Sequence, residues 1–460
     1  LHHISLIRWR RLLQSLIIRV TRSTQTRTTD RRPLPGDQAL HAPAQSAPRS
    51  VLNSANRHGV EFFHQLFDRG FTWVVASEAV VDIGVLARVA AQSWVAYDLT
   101  GSSLWVGAVA AFRAIPSFLS PAIAAYIGNR VNHRILVATI RAFIGILAVI
   151  QAILIATGAM RPWHQAVLTL LTGLALAFAW PSFVTFLNDI VQPRMATRAN
   201  SVLAFSHNLG ELIGPITVGI IIAFVGADWS FVFIAILYLG GAILILNVPM
   251  PDHDSRVGNY HHPYIWTLRI GLHNIGRAQP LPWLIAMLIT TNLFGLAVFP
   301  LIPEYAIAVF DSGGFGFGLM TGALGGGLAI GSTAATIIDL RRHAPIATVI
   351  ASLIWAAGSI AFAYSPNLAT TLLILFIMGF ASIVWGNAIL TAIRANHITR
   401  SHPNILNLHT IVMGLIPIGW TIGSAIAHLT TNETALITSA IASIIMPISA
   451  YIASPGFRRG

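Results

Sequence analysis

Apolar runs of roughly eighteen residues or more recur along this chain from Phe71 to Ala453. Runs of that length match the ~20 residues a helix needs to cross the hydrocarbon core of a bilayer. None alternates apolar and polar residues as a transmembrane strand does, so a membrane barrel is set aside. Composition agrees: soluble domains carry about 25% charged residues, whereas here 10% are charged and 55% hydrophobic. The pattern predicts twelve spans, over 71–97, 103–127, 135–158, 163–188, 200–225, 229–249, 282–308, 316–338, 345–364, 369–393, 406–428 and 433–453.

Charge tests that span count. All 28 basic residues are arginine. With the N-terminus inside, 24 of them fall on the cytoplasmic side, eleven within residues 1–69, and one, Arg161, falls outside. The outer loops hold Asp98, Asp228, Asp311 and Glu433. This asymmetry is the one the positive-inside rule requires. The net charge of +12 is thus read as membrane topology rather than as a nucleic-acid interface. Both termini are expected in the cytoplasm and the chain in the inner (cytoplasmic) membrane. The absence of lysine removes the phosphate-loop lysine of an ATPase and the Schiff-base lysine of a pyridoxal enzyme. The absence of cysteine removes disulfides and thiolate metal sites. No metal or cofactor is expected, and His2–His3 and His261–His262 are too isolated to propose one.

Residues 1–69 read as a cytoplasmic, largely disordered basic tail. Within it Trp9, Leu12, Leu13, Leu16, Ile17 and Val20 keep helical spacing while Arg8, Arg11, Arg19 and Arg22 take another face, as in an interfacial helix. A first six-helix set occupies 70–249, a cytoplasmic linker 250–281, a second set 282–455 and a short cytoplasmic tail 456–460. The two sets echo each other. "AAYIGNR" (Ala124 to Arg130) follows the second span and "AATIIDL" (Ala334 to Leu340) the eighth, an offset of 210 residues. That spacing fits two six-helix repeats.

Longer stretches sharpen the reading. "YDLTGSSLWVGAVAAFRAIPSF" (Tyr97 to Phe118), "AWPSFVTFLNDIVQPRMATRANSVLAFSHNLGELIGPITVGII" (Ala179 to Ile221) and "MGLIPIGWTIGSAIAHL" (Met413 to Leu429) resemble the major facilitator superfamily, in the branch containing the enterobactin exporter and related secretion effectors. The likeness covers roughly residues 71–453. It implies an all-α membrane protein of twelve transmembrane helices in two six-helix bundles, the major facilitator fold. The superfamily's loop motif, Gly-x-x-x-Asp-Arg-x-Gly-Arg-Arg, falls on Ala125, Asn129, Arg130, Asn132, His133 and Arg134. Asn129 replaces an acid that helps lock a gate in the family, which weakens the gate here. Asp339, Arg341 and Arg342 stand at the second repeat's equivalent loop and are read as compensating. These arginines also serve topology alone. The fifth-helix motif of exporters is matched by Gly210, Gly214, Pro215 and, loosely, Gly219. Its small residues let helices approach closely and its proline kinks the helix. The arginine that many members carry on the fourth helix is absent from "LTLLTGLALAFAW".

Charges inside the bilayer are costly and are expected to face a partner or a cavity. A rise of about 1.5 Å per residue places Asp82, Arg113 and Glu211 about 15–16 Å into the first, second and fifth spans, near midplane. Glu78 lies one turn from Asp82, and His207 one turn from Glu211. Two readings are open. One is a proton-titrating, substrate-orienting cluster; the other is a static Arg113–Asp82 ion pair that fixes packing. His207 taken alone reads as a packing residue. Asn292, Trp385, Asn387 and Trp420 are candidate cavity residues in the second half. The run "GGFGFGLMTGALGGGLAIGS" (Gly313 to Ser332) follows no strand and holds no lysine, so it is read as close packing of the eighth helix.

The expected function is secondary active transport: proton-coupled export of a small amphipathic molecule, a siderophore or a drug-like compound, by a monomer embedded in the bilayer. The alternatives are import by symport and a non-transporting receptor or scaffold. No enzymatic activity is expected.

Overall fold

The computed structural model describes residues 69–127, 132–191, 195–249, 281–337, 340–395 and 412–454. The basic tail before Arg69, Asn129, Arg130, Asp339, the 250–280 linker and the last six residues lie outside the described residues, as do the side chains of Arg341 and Arg342. No strand occurs among the described residues. The helices run in order α1 (Arg69–Thr100), α2 (Ser103–Ile127), α3 (His133–Ala156), α4 (Pro162–Ile190), α5 (Ala196–Phe224), α6 (Ala227–Leu246), α7 (Leu281–Phe294, then Val298–Glu304), α8 (Gly313–Ile337), α9 (Leu340–Ala363), α10 (Leu368–Ala395), α11 (Ile416–Leu429) and α12 (Asn432–Ala453).

Among the described residues nine helices are long and apolar enough to cross a membrane. α1 is longer than any of them but carries Glu78, Asp82 and Arg88 within eleven residues. α2 and α11 contribute shorter apolar stretches, Ser103–Pro116 and Ile416–Leu429.

Local chemistry sets the ends. Asn132 caps α3, its side-chain oxygen accepting from the backbone N–H of Arg134 at 3.0 Å and Ile135 at 3.4 Å. Thr431 caps α12 through Thr434 N–H at 3.2 Å. Between α1 and α2 the chain turns at Gly101, whose φ of +62° suits a residue without Cβ.

The predicted seventh span is broken. Phe294 ends one segment and Val298 begins the next, and the latter runs into a π turn, Tyr305–Val309. A break deep in a membrane is tolerated where other groups take up the freed backbone. Here the indole N–H of Trp355 donates to the Gly295 carbonyl at 2.8 Å.

α1 packs against α2, α5 and α6; α3 packs on α6, and α4 on α2. In the second half α10 packs on α8 and α9, and α12 on α9 and α7. The halves meet along α5–α8 and α2–α11. Glycines make the first seam: a Cβ on Gly219 would strike the backbone of Gly318, and one on Gly325 the carbonyl of Glu211. The glycine run of α8 is therefore a packing surface, as its sequence indicates. The second seam is tied by Thr421, whose hydroxyl donates to the Gly107 carbonyl at 2.8 Å.

Buried side chains divide unevenly across the depth of the molecule. On the face where α1 begins, the one expected inside from the arginine bias, one cluster joins Phe71, Val137, Phe186 and Ile245 of the first half, and a separate one joins Leu284, Ala351, Ile389 and Val412 of the second. Toward the opposite, outer face a single cluster crosses both halves, with Trp94, Ile144 and Phe231 beside Leu301, Phe317 and Leu436. The halves thus share one core toward the face where α1 ends and keep separate cores toward the face where α1 begins.

Candidate functional site

A cavity of about 580 Å³ lies between the halves. The first half contributes Leu86, Arg113, Glu211 and Pro215 to its wall, and the second contributes Asn292, Phe299, Trp355, Trp385, Asn387 and Trp420. Its lining is mostly apolar with few polar groups, the composition of a site for a small organic molecule.

Glu211 belongs to a three-residue cluster. Nδ1 of His207 lies 3.1 Å from Asp82 Oδ1, and its Nε2 lies 3.8 Å from Glu211 Oε1. One imidazole therefore faces a carboxylate at each nitrogen and bridges α1 to α5. Glycine allows this reach. A Cβ on Gly210 would lie 2.8 Å from the carbonyl carbon of Asp82, and one on Gly214 would lie 2.7 Å from the carbonyl oxygen of Ile83. Only helices without side chains at these positions approach so closely.

Acid and helix breaker are neighbours for a related reason. Pro215 has no N–H, so the carbonyl of Glu211 one turn earlier has no helical partner. Gly325 of α8 closes over that oxygen. Pro215 itself lines the cavity. The fifth-helix motif thus has two working surfaces: Gly210 and Gly214 seat α1, and Gly219 seats α8.

The expected Arg113–Asp82 pair does not form. Asp82 is taken by His207, and the guanidinium of Arg113 lies 6.0 Å from the centre of the Trp420 ring. Glu78, expected beside Asp82, faces away from this cluster. It pairs with Arg141 of α3, which also donates to Ser77, and all three are buried. That pair locks α1 to α3 inside the first half. Of the gating-loop residues, Arg134 donates to the carbonyl of Val248 at 2.8 Å and ties the start of α3 to the end of α6. Asn292 lines the cavity and also donates to the Val412 carbonyl at 3.0 Å, holding the entry to α11.

Sequence reasoning missed Arg141. The signal was present: Arg88, Arg113 and Arg141 are the three arginines that the topology count assigns to neither face. It placed His207 one turn from Glu211 but did not bring it to Asp82, because that neighbour on α1 is distant in sequence.

A family model described as transmembrane secretion effector matches residues 62–454. The chain belongs to the transmembrane secretion effector family of the major facilitator superfamily. No curated protein matches it. Solved structures that superpose on it include transporters. A nucleoside transporter, NupG, aligns with a TM-score of 0.62 at 13% identity, covering 83% of this chain and 98% of its own. A POT family transporter in complex with a thioalcohol-conjugated peptide gives 0.66 at 12%, covering 85% and 98%. A bacterial homolog to the human lysosomal transporter Spinster, in an inward-facing and unoccupied conformation, gives 0.62 at 12%, covering 84% and 97%. At these identities the likeness is one of fold. Family and fold together make this secretion-effector relative a multi-pass membrane transporter rather than an enzyme.

Proposed function

We propose that this chain is a proton-coupled exporter of a small amphipathic molecule, working by alternating access. In this reading its helices form twelve transmembrane segments in two six-helix bundles, which rock about the central cavity. The chain acts as a monomer in the inner membrane, with both termini in the cytoplasm. The observation that carries the reading is the His207 bridge between Asp82 and Glu211, with Glu211 also on the cavity wall. A proton held by this cluster has a ring nitrogen at either carboxylate to move to, and a cavity through which to arrive. Rocking of the two bundles opens the cavity, and Glu211 on its wall, to one side or the other and so changes which group of the cluster holds the proton. The glycine and proline pattern of α5 supports export over import.

The test is Glu211→Gln in proteoliposomes. Folding, monitored by elution profile and helical circular dichroism, is expected to persist, while accumulation driven by a pH gradient is expected to vanish. Full coupling in Glu211→Gln would place the proton carrier elsewhere.

A further inference from the structure

Arg88, Arg113 and Arg141 in the first half are matched in number by Glu78, Asp82 and Glu211, but only Arg141 is paired with a carboxylate. Glu78 is held by Arg141, and Asp82 and Glu211 by His207. Arg88 and Arg113 are left without a carboxylate among the described residues. Arg88 is 1% exposed, and none of its three guanidinium nitrogens has a hydrogen-bond partner. The Tyr238 ring lies 6.0 Å from its guanidinium. Arg113 is within electrostatic reach of Arg88 and lines the cavity. A buried cation without an anion is costly, and the usual remedy is a counter-charge. Here the cavity is where one arrives.

The wall beside Arg113 has its own signature. Trp420 stacks on Phe299 with ring centres 5.1 Å apart and planes at 16°, and Phe299 stacks in turn on Trp355 at 6.1 Å. The indole N–H groups of Trp385 and Trp420 have no acceptor. Trp385 is 9% exposed, so its N–H is nearly cut off from water. Buried indoles normally find a partner.

We infer that the cavity is a binding site for an aromatic organic anion. Its carboxylate-like head pairs with Arg113 in the field of Arg88, and its ring lies against the aromatic wall of Phe299, Trp355 and Trp420. The head sits at α2 rather than α5, because Glu211 is engaged with His207 and repels an anion when charged. This rests on the transport reading for its purpose but not for its chemistry.

The probes are a naphthalene carboxylate, the corresponding naphthalene methanol, the corresponding aminomethyl naphthalene and cyclohexane carboxylate. Each is titrated calorimetrically into the purified full chain in detergent without any gradient. The naphthalene carboxylate is expected to bind about tenfold or more tightly than the neutral alcohol, the scale of one charge-assisted hydrogen bond. It should also bind more tightly than cyclohexane carboxylate, and the amine should not bind. Arg113→Gln should erase the preference for the anion and Arg113→Lys should keep it. Arg88→Gln should reduce it several-fold without loss of the folded elution peak, an effect that a packing role alone does not produce. Trp420→Leu should erase the preference for the aromatic over the cyclohexane anion. Equal binding of acid and alcohol, tighter binding of the amine, or no binding by any probe overturns the inference in the unmodified chain, whatever the variants do. Binding with the predicted order but no movement in proteoliposomes defeats the transport reading and leaves the site standing. Gradient-driven transport of another solute without any anion preference defeats the site alone.

Discussion

Arg141 and Glu78 illustrate how much depends on single side chains at this depth. Both are buried, and removing one leaves the other charged in a low-dielectric interior. Breaking such a pair costs about 3–5 kcal/mol, whereas replacing both members with neutral groups often costs little. Arg141→Gln is therefore expected to lower the unfolding midpoint sharply in detergent, and Glu78→Gln with Arg141→Gln to recover most of the loss. A double variant as unstable as the single one would show that Arg141 acts through its hydrogen bond to Ser77 instead. The sequence made the depth of Asp82, Glu211 and Arg113 legible, because rise per residue alone sets depth. It left their partners illegible. α1 touches α2, α5 and α6, so most of its circumference is buried, and periodicity does not say which helix each charge faces. That choice depends on helix rotation, which Gly210 and Gly214 fix by admitting α1 at one angle only.

Among the elements, the α5–α8 crossing bears the most constraint. The α8 side of it was readable from Gly314, Gly318 and Gly322, four residues apart in an apolar segment, but not the α5 side, where only Gly219 faces α8 and Gly210 and Gly214 seat α1. The break in α7 was not readable, because Gly295 is a lone glycine and the residue that satisfies its carbonyl, Trp355, lies two helices away. The crossing gives a graded prediction. Gly219→Ala places a methyl group against the backbone of Gly318, where no side chain can rotate aside, and overpacking of this kind costs about 1–3 kcal/mol. Gly240→Ala on α6 meets nothing within 4 Å and is expected to be neutral or slightly stabilising. Thermal unfolding of the two variants side by side checks this. Equal midpoints would mean that the helices part there without penalty and that the seam does not constrain the halves.

At the scale of the whole molecule the asymmetry of the buried clusters defines a state. Hydrophobic contact between the halves concentrates toward the outer face, where Val106 of α2 packs with Tyr97 and Ile307. Toward the inner face each half keeps its own core, and Asn387 and Met413 border the cavity between them. The span order and the 24-to-1 arginine bias were visible in the sequence because they reflect insertion, which reads the chain linearly. The open side was not, because two arrangements of the same halves share one sequence. The chain contains no cysteine, so single introduced thiols report without background. Asn387→Cys and Met413→Cys are expected to react with a membrane-impermeant maleimide supplied from the inner face, in inside-out vesicles. Val106→Cys, only 2% exposed at the outer seal, is expected to resist it in right-side-out vesicles. In the proposed export cycle rocking opens the outer seal to release cargo, so an imposed gradient with cargo present should raise labelling at Val106→Cys and lower it at Asn387→Cys. Labelling at both positions that never changes in opposite directions would mean that the halves do not alternate, and that the division of the core is a fixed feature of the fold.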